Sequence, residues 1–154
     1  MAKTFTVERS AVIPAPIARV YGLVSDFHEW TRWSPWEDKD PDMQRTYDGA
    51  ESGTGATYAW QGNRDVGSGT MEITDATENE RIVIALSFLK PFKAENQTVF
   101  AFAEEGDGTR VTWTMTGTRN LMMAFMGLFM NFDKMIGGDF EKGLARMSTA
   151  AGAA

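Results

Sequence analysis

One histidine, His28, stands between Asp26 and Glu29, and acid-base catalysis is the first chemistry such a neighbourhood suggests. A hydrolytic triad would also need a nucleophile in an elbow motif, and no Ser occupies one. A metal site built on imidazole or thiolate needs further ligands, and the chain has 1 His and 0 Cys. His28 therefore reads as a solvent-facing residue of a short helix. Any proton transfer falls to an Arg or a carboxylate held in apolar surroundings, and Arg9, Arg64 and Asp133 are the candidate polar handles. Arg9 shares a side with apolar residues of its strand, so it sits either at an open strand edge or inside a cavity, where it needs a partner. Asp133 borders an apolar helical stripe; it is either a boundary residue in water or an interior carboxyl with a raised pKa or an Arg partner. Gly67-Ser68-Gly69 has the look of a phosphate cradle. With no helix following, it reads instead as a bulge or bend in a curved sheet. No catalytic residue is assigned, and no metal or cofactor is implied.

Length and charge narrow the partners. A chain of 154 residues is long enough to bury a core without disulfides or metal, and one domain is expected over residues 1–149 with a frayed tail from Ala150 to Ala154. The balance of 15 basic against 21 acidic residues gives a net charge of −6, with no basic run to offset it. Nucleic acid and anionic membrane surfaces are poor partners for such a chain. The opening MAKTFTVERS has no apolar stretch of signal-peptide length, which leads to the expectation of a cytoplasmic protein.

The element that must position everything else lies near the end, from Asn120 to Met147. Phe125, Phe129, Phe132, Ile136, Phe140, Gly143 and Met147 recur at steps of three and four, the spacing of a buried helix face. A helix of that length would span about 40 Å, and Asn131, Lys134, Glu141 and Lys142 mark its polar side. The apolar run from Leu121 to Met130 is too short for a membrane span, which needs roughly 20 residues. Met122, Met123, Met126, Met130, Met135 and Met147 also lie here, and Met fills irregular space without fixing its shape. Gly137 and Gly138 permit a bend or a close backbone approach.

The partner of that helix is a sheet. Lys3 to Ile13 reads as the first strand, and Pro14 and Pro16 end it, with Pro16 suited to the first position of a helix. Ile17, Val20, Tyr21 and Val24 then give a short helix to Ser25. Asp26 can cap a second one carrying Phe27, Trp30 and Trp33, and Pro35 closes it. From Asp42 the period becomes two, with strands at Met43–Asp48, Gly55–Gln61, Val66–Ala76, Glu80–Leu89, Asn96–Glu104 and Arg110–Thr118. Asp48-Gly49, Gly62-Asn63, Thr77 to Asn79, Pro91 and Gly106-Asp107-Gly108 supply the turns. Seven antiparallel strands curled around a terminal helix, an α+β arrangement, would bury both apolar surfaces.

Several motifs carry a family likeness: Pro14 and Pro16 before a short helix, Trp30-Thr31-Arg32-Trp33-Ser34-Pro35-Trp36, Gly49 with Gly53-Thr54-Gly55-Ala56, Gly67-Ser68-Gly69, Gly108-Thr109-Arg110-Val111-Thr112-Trp113, and Asp139-Phe140-Glu141-Lys142-Gly143-Leu144. Together they resemble the SRPBCC superfamily, and within it the polyketide cyclase/dehydrase and lipid-transport-like group, relatives of START domains. The resemblance covers essentially the whole chain. It implies the helix-grip fold, with an apolar cavity between sheet and long helix and the two short helices at one mouth. It implies no single function, because one scaffold hosts carriers, receptors, ring-hydroxylase subunits and cyclases.

Strand parity places Tyr58 and Trp60, Met71 and Ile73, Ile82, Ile84, Leu86 and Phe88, Phe100 and Phe102, and Val111, Trp113 and Met115 each on one face of its strand. These faces make either a solid core or, as the resemblance implies, the aromatic and Met lining of a small-molecule pocket. The expected lining is Trp33, Trp36, Tyr58, Trp60, Met71, Leu86, Phe88, Phe100, Phe102, Trp113 and Met115 on the sheet side. From the helix come Phe125, Met126, Phe129 and Met130. Trp30, Trp33 and Trp36 either anchor the short helices or form a rim that closes over a ligand. The expected function is binding or transport of a small hydrophobic ligand, lipid, polyketide-like or aromatic. The alternatives are a cyclase- or dehydratase-like enzyme acting on such a ligand and a protein-interaction module resembling the chaperone-activator branch of the superfamily.

Overall fold

The computed structural model describes residues 4–34, 42–62, 67–90, 94–118 and 132–152, with side chains at 4, 5, 94, 118 and 132–136 left aside. Strand β1 (Thr4–Ile13) leads into helix α1 (Ile17–Ser25) and a 3-10 helix (Phe27–Arg32). Then come β2 (Gln44–Gly49), β3 (Ala56–Gln61), β4 (Ser68–Thr77), β5 (Arg81–Lys90), β6 (Ala94–Glu105), β7 (Gly108–Thr118) and the terminal helix α2 (Phe132–Gly152). The strands form one antiparallel sheet in the order β1-β7-β6-β5-β4-β3-β2. Each successive hairpin pairs with its predecessor, and the first strand returns to pair with the last, Thr4 opposite Thr118 through Ile13 opposite Thr109. This is the seven-stranded sheet that the periodicity predicts, in the helix-grip arrangement that the resemblance implies.

The alternation decides which face turns inward. On β5, Ile82, Ile84 and Leu86 are buried while Arg81 and Ala85 are exposed. On β7, Val111, Trp113 and Met115 go inside, and the outward Arg110 and Thr114 bond to Glu105 and Glu8. Register across the sheet stacks the inward residues into rows: Trp113 opposite Phe100 and Phe100 opposite Ile82; Met115 opposite Thr98 and Thr98 opposite Ile84; Gly117 opposite Asn96, Asn96 opposite Leu86 and Leu86 opposite Met71. The pairing of β4 with β5 slips between Ser68 and Gly69, so the Gly67-Ser68-Gly69 stretch is the irregularity of a bent strand.

Two details correct the sequence reading and two add to it. Pro16 is the cap of α1 at φ −62° and ψ 148°, not its first helical residue; its ring fixes φ while ψ stays extended. The expected second short helix winds as a 3-10 helix, with Asp26 accepting from the His28 backbone N–H as its cap. Trp30 lies within this six-residue helix and Trp33 caps it; 3-10 winding is used in such short pieces. Helix α2 runs through Gly152, so residues 150–152 are not the frayed tail expected. Ala150 and Ala151 are buried, and their carbonyls accept from Arg32 and Arg19 respectively, which satisfies acceptors that a helix end leaves open.

The fourth concerns Arg9. It does face α2, but its Nε donates to Glu141 Oε2 at 3.0 Å and its Nη1 donates to the Glu8 carbonyl at 2.7 Å. Glu141, placed on the polar side of the helix by the wheel, thus reaches back to the strand. Gly137 makes room: a β-carbon there would lie 2.8 Å from Arg9 Nε and closer still to the rest of the guanidinium. The close backbone approach expected at this glycine is to a side chain of β1.

Candidate functional site

The inner face divides into two regions. At one end the protein fills its own interior with rings. Phe140 of α2 lies flat on Trp113, centroids 4.1 Å apart and planes at 8°. Trp113 packs against Phe100 at 4.8 Å and edge-on to Trp33 at 5.5 Å; Trp33 touches Trp30 at 4.6 Å. The indole N–H of Trp33 donates to the Leu23 carbonyl at 2.7 Å and that of Trp30 to the Val24 carbonyl at 2.9 Å. These two Trp residues therefore anchor the 3-10 helix to the end of α1. Phe102 belongs to the same closed end, edge-on to Tyr21 of α1 at 5.4 Å. Burial, and secondarily Glu78, pushes the Tyr21 phenol above its ordinary range.

At the other end the inward side chains are less completely covered. Trp60, Met71 and Phe88 are half-buried, although their neighbours Tyr58, Ile73 and Leu86 are buried. Trp60 stands edge-on to Phe88 at 5.6 Å. Gly69 allows this: a β-carbon there would meet the Trp60 ring and the Ser87 carbonyl, so the missing side chain lets an indole lie across β4. Met115, Leu86, Met71, Phe88 and Trp60 thus form an apolar floor running from β7 to β3. Such a floor suits an apolar guest held by area, at about 25 cal/mol per Å2.

Two polar side chains interrupt this floor. Asn96 and Thr98 point inward from β6, at 8% and 4% exposure. The parity that sends Phe100 and Phe102 inward also sends Asn96 and Thr98, so the signal is present in the sequence, in polar residues at apolar positions. Of the expected lining residues, Trp36, Phe125, Met126, Phe129 and Met130 lie outside the described residues, as does the candidate polar handle Arg64. Asp133 is in α2 with its side chain outside them.

His28 is exposed. Its Nδ1 lies 2.8 Å from Asp26 Oδ1, and its ring stacks on Tyr47 at 4.0 Å, so it joins the capping turn to β2 on the outside, as a solvent-facing His should. A groove of about 350 Å3 between α1 and the 3-10 helix is lined by Arg19, Asp26, Glu29, Arg32 and Ser52 among others. Its charges are engaged already, Arg32 with Glu29 and Ala150, Arg19 with Ala151, and Asp26 with His28. Among the described residues no group of three His, Cys, Asp or Glu could hold a metal ion, and no helix is long and apolar enough to cross a membrane.

The model of the family described as polyketide cyclase/dehydrase and lipid transport matches residues 4–152. The chain belongs to that family. Solved structures agree on the fold of this family member. A protein from Rhizobium leguminosarum is similar at 17% identity and TM-score 0.71, covering 100% of this chain and 98% of the other. The Aha1 dimer of Colwellia psychrerythraea is similar at 14% identity and TM-score 0.64, covering 96% of each chain. DynU16, from the dynemicin biosynthetic locus, is similar at 15% identity and TM-score 0.65, covering 96% of this chain and 47% of that one. At such identities the likeness extends to architecture. No curated protein matches the sequence.

Proposed function

We propose that this family member binds and carries a small, largely apolar molecule between the sheet and the terminal helix. The observation that carries the reading is the unequal covering of the inner face. The end under Phe140 is sealed by stacked rings, whereas Trp60, Met71 and Phe88, inward and apolar, are left half-buried. A chain that needed only a core would gain a further share of the roughly 1.5 to 3 kcal/mol that full burial of such a side chain contributes. The family description, which includes lipid transport, supports the same class of guest. Trp36, Phe125, Met126, Phe129 and Met130 complete the proposed lining.

Arg9 gives no support to the enzymatic alternative, since its guanidinium is engaged by Glu141 and the Glu8 carbonyl. Native mass spectrometry of the purified protein tests the carrier reading. The expected result is a noncovalent adduct of a few hundred daltons, or, for protein stripped of it, a thermal stabilisation by hydrophobic additives. A ligand at one hundred times its dissociation constant contributes about 2.7 kcal/mol. Absence of any adduct, together with an unchanged melting temperature across lipids, polyketides and aromatic compounds, overturns it.

A further inference from the structure

Asn96 holds an amide that the fold buries without using. Its Oδ1 accepts from the Thr98 hydroxyl at 3.3 Å, and its Nδ2 has no hydrogen-bond partner among the described residues. An amide donor removed from water and left unpaired is destabilising, and native proteins keep such groups where something else completes them. The surroundings show where that something would lie. Asn96 pairs across the sheet with Gly117 on one side and Leu86 on the other. Gly117 is buried and presents no side chain that could pair with the amide. Leu86 continues into Met71, toward the half-buried end of the apolar floor. Thr98 holds the amide by its oxygen, which leaves Nδ2 as the donor to be completed.

We propose that Asn96, oriented by Thr98, is the polar contact of the ligand site and donates from Nδ2 to a neutral oxygen acceptor, a ketone or ester carbonyl, on an otherwise apolar guest. The inference rests on the carrier reading and adds to it the position and chemistry of the one directional contact. A neutral acceptor suits a neutral donor, whereas a carboxylate buried at the same place would cost far more than one amide can return. The guest's carbonyl would lie deep against β6, with its hydrocarbon part running over Leu86 and Met71 to Trp60 and Phe88.

The test uses two ligands of nearly the same shape, 2-acetylnaphthalene and 2-ethylnaphthalene, titrated by calorimetry into the full chain. The expected result is a preference of about tenfold for the ketone, the size of one completed buried hydrogen bond. That preference falls to about onefold in Asn96→Leu. Asn96→Val likewise offers no donor, and it loses the preference too. In a 15N–1H spectrum the Asn96 side-chain NH2 pair, identified by its loss in Asn96→Leu, moves downfield with the ketone only; this readout needs no folded variant beyond the assignment, and the wild-type ligand comparison needs none. Equal affinity for both ligands, or a ketone preference that survives in both variants, overturns the Asn96 assignment and leaves the carrier reading standing. Binding of neither, together with no adduct and no stabilisation by the lipids, polyketides and aromatic compounds named above, overturns the carrier reading, and the assignment falls with it.

Discussion

Truncating Phe140 to Ala tests how the terminal helix is held. The ring has 0% exposure and lies on Trp113 at 4.1 Å with an 8° interplanar angle. Removing a buried Phe side chain costs about 3 to 5 kcal/mol through lost transfer energy and the cavity left behind. The site is poorly placed to collapse, because Trp113 is fixed from the other side by Phe100 and Trp33, and Trp33 by its bond to the Leu23 carbonyl. The expected loss is therefore near the middle of that range, about 4 kcal/mol. For a chain of this size it corresponds to roughly 8 to 16 °C in melting temperature. Phe140→Leu keeps most of the volume and forfeits mainly the ring pair, about 0.5 to 1.5 kcal/mol. Urea titration followed by tryptophan fluorescence and by far-ultraviolet dichroism measures both. A loss under about 1.5 kcal/mol for Phe140→Ala, or equal losses for Ala and Leu, would refute the claim that the stacked rings anchor α2.

Three further outcomes are expected. Gly69→Ala places a methyl against the Ser87 carbonyl and 2.8 Å from Trp60 Cζ2; it should cost about 1 to 3 kcal/mol, the usual range for overpacking, with an altered Trp60 emission, and an unchanged urea midpoint and spectrum would contradict it. Glu105 has its pKa held below the ordinary carboxylate range by the side-chain bond from Arg110. Its folded pKa being the lower, its stabilising effect is present above the unfolded carboxylate pKa and is lost as pH falls through the folded one; an NMR titration should show the depressed midpoint in the wild type and its return to the ordinary range in Arg110→Ala. Finally, Arg19→Ala with Arg32→Ala removes the donors on the Ala150 and Ala151 carbonyls, and the last turn of α2 should exchange its amide hydrogens faster while those of β6 are unaffected.

The strands were readable almost to the residue because each has a buried and an exposed side, and a period of two leaves a clear trace: Met43 to Asp48 was expected where Gln44–Gly49 stands, and Val66 to Ala76 where Ser68–Thr77 stands. Ends were less legible. Ala150 looked like tail because Ala carries no periodic signal, yet Ala is the strongest helix former, and its fate was decided by arginines more than a hundred positions away. Arg9 shows the same limit: parity put it on the inner side, but only the backbone of Gly137 and the reach of Glu141 decided that it clamps strand to helix. Asn96 was legible in position and overlooked in kind, since an inward amide in a strand of aromatics gains meaning only when its hydrogen bonds are accounted for.

The packing of Trp30, Trp33 and Trp113, with successive centroids 4.6 and 5.5 Å apart, has an optical consequence. Chromophores at that range couple their transition dipoles, so the folded chain should give a bisignate exciton band in circular dichroism, arising from a single spot where two short helices, the sheet and, through Phe140, the terminal helix converge. The amplitude of that band would then follow the docking of these elements in real time, without any added dye.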